Sequence, residues 1–148
     1  MIRIFKFGGA SVKDADGVKN VARIIQRFGG ESQLAIVVSA MGKTTNALEA
    51  IYEKAFHGQD FDELLQQLRQ QHLDTVRGLF GKENEEVPEA LDRYFIRLKF
   101  QLLHAPDKSY DFGYDQVVSY GEYLSSLILF RYLLHVELPV TLLNARHL

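Results

Sequence analysis

The sequence predicts an α/β fold, a mostly parallel sheet flanked by helices. Three observations carry that expectation. The runs Ile2 to Phe7 and Leu34 to Val38 are apolar, and each ends in glycine or other small residues. Each is followed by a segment with helical spacing of its apolar residues. A third run after Pro139, "LPVTLL", completes the order strand, helix, strand, helices, strand.

The elements follow in order. Ile2 to Phe7 is apolar except for Arg3 and Lys6, and Gly8-Gly9 breaks it. A helix from about Asp14 carries Val18, Val21, Ile25 and Phe28 on one face, and Gly29-Gly30 stops it. Leu34 to Val38 is continuous and rich in β-branched residues, as in a strand covered on both faces. A second helix is expected from Thr45-Asn46 to about Phe56, with Asn46 and Glu49 outlining a capping box. The middle, residues 60–105, reads as a helical hairpin. Leu64, Leu65, Leu68, Val76, Leu79 and Phe80 form one uneven stripe. Leu91, Phe95, Leu98 and Leu102 form a better one, with Pro88 suited to a first turn. "APDKSYDFGYD" reads as a loop, and a long helix from about Gln116 to His135 follows. Its "LSSLILF" is apolar around most of the circumference, which predicts the most buried helix.

Composition bounds the function. The 148 residues are 47% hydrophobic and 24% charged, the balance of a soluble domain. A formal net charge of -2 supplies no general attraction to nucleic acid or to an anionic membrane, so any anion site must be local. There are no cysteines, hence no disulfides or thiolate ligands. No signal-peptide pattern or membrane-length apolar run is present, and the expected location is cytoplasmic.

Two strand ends carry the candidate chemistry. In open α/β sheets ligands bind beyond the carboxyl ends of the strands. Lys6 stands at such an end, and a lysine in an apolar run calls for a negative partner. Gly8, Gly9, Ala10 and Ser11 follow, small enough for backbone N–H groups to approach an anion. The bland alternative is a tight turn with Lys6 reaching solvent. "VVSAMGKTTNAL" repeats the design, with Ser39, Ala40 and Gly42 at the strand end and Thr44 and Thr45 before a helix N-terminus. It is no P-loop, because the motif's first glycine would stand where Val37 does, and no G-x-G-x-x-G occurs. In "SYGEYLSS", Glu122 sits near a helix start, either as a charge favoured by the dipole or as a partner for an amino group. His57, His72, His104, His135 and His147 lack metal-ligand spacing, so no metal site is expected.

"KFGGASV", "VVSAMGKTTNAL" and "SYGEYLSS", in this order, closely resemble the N-terminal part of aspartate kinases of the amino-acid kinase family, and "LPVTLLNAR" resembles the strand that follows in them. The resemblance spans the whole chain. It implies the N-terminal portion of a three-layer amino-acid kinase sandwich. The implied reaction is transfer of the γ-phosphoryl group of ATP, with Mg2+, to the side-chain carboxylate of aspartate. Lys6 then stabilises the transferring phosphoryl group, and Gly8, Gly9, Ala10 and Ser11 form the phosphate turn. Ser39, Ala40 and Thr45 lie near the substrate, and Glu122 holds its amino group. Ala10 departs from the family's usual threonine. Aspartate kinases continue past the position of Leu148 with a Gly-rich segment, an ATP-binding half and regulatory ACT domains. The expected metal ligands lie there, and the chain reads as an N-terminal fragment that is inactive alone. The implied partners are aspartate and ATP, with no nucleic acid or membrane, and a homo-oligomer is compatible. The alternative is a non-catalytic phosphate- or amino-acid-binding or dimerisation module derived from the same fold.

Overall fold

The computed structural model describes residues 2–30 and 33–144. Strand β1 (Ile2–Phe7) leads through a 3-10 turn (Gly9–Val12) into α1 (Ala15–Phe28), and β2 (Gln33–Val38) follows. Five helices come next: α2 (Thr44–Phe56), α3 (Asp62–Phe80), α4 (Glu86–Leu103), α5 (Tyr110–Val118) and α6 (Tyr120–His135). The strands pair in parallel, with Ile4 opposite Ala35 and Lys6 opposite Val37. The α/β class and the parallel pairing are as the sequence predicts.

Strand alternation splits the sheet into unlike faces. Phe5 and Phe7, with Leu34, Ile36 and Val38, turn toward the helical core. Ile2, Ile4 and Lys6, with Gln33, Ala35 and Val37, are exposed. The continuous apolar run of β2 is therefore not covered on both faces among the described residues: Val37 is 49% exposed, and on the same face of β1 Ile4 is 70% exposed. Arg3 has a local reason to interrupt β1. Its Nη2 donates to the carbonyls of Phe28 at 2.7 Å and Gly29 at 2.8 Å, placing a cation on orphan acceptors at the end of α1. That leaves Phe28 half-exposed, off the buried stripe of Val18, Val21 and Ile25.

The helical hairpin forms as its periodicity dictates. Leu91, Phe95, Leu98 and Leu102 are all buried, as are Leu65, Leu68, Val76 and Leu79 opposite. Pro88 lies in the first turn of α4, where its missing N–H lacks an intrahelical acceptor anyway. Asn84 Oδ1 accepts the Val87 N–H at 3.0 Å and caps the same end. Arg69 grips Asp92 with two bonds of 2.7 and 2.8 Å, tying α3 to α4. Helix α6 is the apolar centre, with Leu124, Leu127, Ile128, Leu129 and Leu133 all buried.

Three local expectations are corrected. The helix before His135 is not continuous from Gln116; it breaks at Ser119 into α5 and α6, and α5 occupies much of the expected loop. Helix α2 starts at Thr44 without a side-chain cap, so Asn46 and Glu49 form no capping box. Glu49 instead accepts the Tyr114 hydroxyl across to α5. Residues 138–144 form no strand, because no ladder joins them to β2. Ala145 and Arg146, at the end of "LPVTLLNAR", lie outside the described residues.

Candidate functional site

The three motif segments meet at one place, and glycines decide how closely. Ser39 N–H donates to the Phe7 carbonyl at 3.0 Å, and Gly42 N–H to the Gly9 carbonyl at 2.9 Å, so the loops after β1 and β2 are bonded side by side. A Cβ on Gly9 would lie 2.5 Å from the Ala40 carbonyl oxygen. On the other side of Ala40, a Cβ on Gly121 would lie 2.7 Å from the Ala40 Cβ and 3.6 Å from Thr44 Cγ2. Ala40 is thus held between two glycines from opposite ends of the chain, one in each of the other motifs. The sequence places Gly9 and Ala40 in the site; Gly121 it passes over, although the residue stands next to Glu122.

Gly8 differs from both. Its φ is -76°, which any residue adopts, and a Cβ there would meet nothing within 4 Å. Neither backbone strain nor packing within the chain requires a glycine at this position. Ala10 and Ser11 are exposed beside it, and the Ser11 N–H is already donated to the Gly8 carbonyl at 3.0 Å. The expected cradle of N–H groups therefore lacks that donor. Lys6 is exposed on the bare face of the sheet, so it is not the buried charge that the apolar run suggests.

Glu122 is exposed in the first turn of α6, where the helix dipole favours a carboxylate. It lines a cleft of about 390 Å³ together with Val37, Ser119, Tyr94, Tyr123 and Asn144. Val37 is the register partner of Lys6, so the cleft reaches the strand that Lys6 neighbours. Thr45 is half-buried in the first turn of α2, beside the buried Thr44. Tyr94 escapes sequence reasoning because it stands on α4, outside every motif; Ser119 and Asn144 lie within "SYGEYLSS" and "LPVTLLNAR" but are not singled out there.

A second cavity, about 430 Å³, lies against Lys13, Gly42, Lys43, Thr44 and His72. His72 is buried, and its Nδ1 donates to the Leu68 carbonyl at 2.9 Å. Burial holds its pKa below the usual imidazole range, partly opposed by that bond. Its Nε2 has no hydrogen-bond partner among the described residues.

On the other side of α2, Tyr110 donates to Glu53 and Tyr114 to Glu49, each at 2.5 Å. The bond to Glu53 pushes the Tyr110 phenol up to about 12, with desolvation adding to it. These pairs, with the Tyr52 hydroxyl donating to the Tyr110 carbonyl at 2.8 Å, fasten α5 to α2. Both helices adjoin the site: α2 starts at Thr44, and α5 runs into α6 just before Glu122.

No helix among the described residues is long and apolar enough to cross a membrane. No group of three histidine or acidic side chains among them is placed to hold a metal ion. The chain is 37% identical over 138 residues to chloroplastic aspartokinase 1 of Arabidopsis thaliana, covering 88% of this chain and 23% of that protein. Its fold superposes on E. coli aspartokinase III, solved in complex with aspartate and ADP, with a TM-score of 0.79 at 26% identity; the match covers 93% of this chain and 30% of that one. Clostridium acetobutylicum aspartate kinase matches with a TM-score of 0.71 at 26% identity, over 90% of this chain and 29% of that one. The chain thus spans less than a third of each relative. The model of the amino acid kinase family matches residues 1–148, and the chain belongs to that family.

Proposed function

We propose that this chain supplies the aspartate-binding and phosphoryl-positioning elements of an aspartate kinase, which transfers the γ-phosphoryl group of ATP to the side-chain carboxylate of L-aspartate. The observation that carries the reading is the contact of Gly9, Ala40 and Gly121, which gathers three separate motifs at the ends of parallel strands. Phosphoryl transfer needs positioning and charge neutralisation more than a covalent nucleophile, and these segments offer just such groups. Lys6 neutralises the transferring group. Gly8 leaves open space where phosphate oxygens approach the backbone, flanked by Gly9, Ala10 and Ser11. Ser39, Ala40 and Thr45 border the substrate, and Glu122 pairs with its amino group. The described residues fit the phosphate end of ATP through Lys6 and Gly8. Mg2+ belongs to the reaction, but no metal ligand is assigned to this chain, and no step here is routed through the ion.

Amide NMR of the chain tests the reading. Inorganic phosphate is expected to shift the amides of Gly8, Gly9 and Ala10, and Lys6→Ala to remove those shifts. L-Aspartate is expected to shift amides around Ser39, Thr45 and Glu122. Shifts confined to surface lysines such as Lys82 and Lys108 would overturn the assignment. With L-aspartate and Mg-ATP, the chain alone is expected to release no ADP; turnover that disappears in Lys6→Ala would show that it carries the whole machinery.

A further inference from the structure

We propose that Tyr94, from the helical hairpin, is a specificity residue of the Glu122 cleft and forms the aromatic wall against which the substrate's ammonium group rests. The inference builds on the reading of Glu122 as the partner of that group.

Three observations carry it. The cleft that Glu122 lines is also lined by Tyr94 and Tyr123, and no lysine or arginine is among its described lining residues. A cavity whose formal charge is a single carboxylate, with aromatic rings beside it, favours a cation and disfavours a carboxylate. The two rings are paired, with centroids 6.1 Å apart and planes tilted by 33°, and Tyr120 closes edge-on against Tyr123 at 5.7 Å. A ring fixed by neighbours presents its face with little further loss of rotamer freedom on binding. Tyr94 is also placed by a part of the fold otherwise remote from the strand ends. It sits on α4, one position before the buried Phe95, so the packing of α4 against the core sets its height in the cleft.

The arrangement gives the substrate a direction. Its ammonium enters between Glu122 and the tyrosines. Its carboxylates are then left toward the strand ends, where Lys6 and the N-terminus of α2 supply positive potential. The hairpin thereby sets which ligands enter: a dicarboxylic acid without an amino group forfeits the aromatic wall.

The test uses amide NMR titrations of the chain with L-aspartate and with succinate, which lacks the amino group. Tyr94→Leu is expected to weaken L-aspartate binding by about three- to five-fold, the range of an exposed cation–π contact, and to leave succinate binding unchanged. Tyr94→Phe keeps the ring and is expected to bind L-aspartate within about two-fold of the parent, which separates the ring from the hydroxyl and from a folding defect. Glu122→Gln is measured in parallel. If Glu122→Gln weakens L-aspartate binding and Tyr94→Leu does not, Tyr94 is no specificity residue while the Glu122 reading stands. If neither variant changes it, or if L-aspartate shifts no amide of the cleft, both readings fail. Equal losses for L-aspartate and succinate in Tyr94→Leu would also overturn the proposal, since a general packing defect does not discriminate by charge.

Discussion

The helical hairpin with α6 and the two-stranded sheet both carry apolar runs, yet those runs end in opposite conditions. Leu91, Leu98, Leu102 and Ile128 are fully buried by partners within the chain. Ile2 and Ile4, in the apolar strand β1, are 64% and 70% exposed. An amphipathic helix finds its cover in other helices nearby in sequence. A strand pattern says only that a face is apolar, and what covers it comes from elsewhere. Stability of this chain therefore resides in the helices, and the sheet contributes through one face.

That contrast can be broken by mutation. Leu98→Ala should destabilise by roughly 2–5 kcal/mol, the range for truncating a filled core position. Ile4→Thr, of the same apolar class but on the bare face, should stay within about 0.5 kcal/mol. Urea unfolding of both variants decides it; a large loss at Ile4 would mean that the exposed face is covered in solution. A smaller effect is expected where the two regions join. Gly9→Ala forces a Cβ against the Ala40 carbonyl and should cost about 1–3 kcal/mol, whereas Gly8→Ala, with open space around it, should be nearly neutral in the same melt. Equal losses would show that the loops are not locked as described.

The smallest effect sharpens the picture of the filled interior, where His72 is the buried imidazole among the described residues. Burial depresses its pKa, so the folded state holds it neutral while the unfolded state protonates it near pH 6.5. The unfolded state thus binds more protons below that value, and stability should fall as pH drops from about 6.5, by at most about 1.4 kcal/mol per pH unit. His72→Leu should flatten the profile between pH 6.5 and 5. An unchanged slope would assign the acid sensitivity to other groups.

Legibility in the sequence follows the same division. Leu91, Phe95, Leu98 and Leu102 announce α4 because burial there is a matter of helical period. Helix α5 is missed because "DFGYD" carries a glycine that reads as a loop signal. In the fold, a Cβ at Gly113 would lie 2.3 Å from the Tyr52 hydroxyl, so the glycine makes room for a neighbouring helix. "LPVTLL" has strand composition without a strand, since a ladder is a property of two segments. At the site, motifs expose Lys6, Gly9, Ala40 and Glu122. Tyr94 and Gly121 matter through contacts that no local pattern encodes.

The seating of Ala40 between Gly9 and Gly121 has a temporal consequence. Loop-closure entropy opposes contacts between distant residues until the intervening chain is ordered, and this contact joins the first loop to the last helix. A partly folded chain can hold the hairpin intact, with its sequence-local contacts, and still lack every pairing among the three motifs. The site is therefore among the last features to mature. Its formation marks the joining of the first loop to α6, so a recognition surface and a long-range folding contact coincide at one alanine.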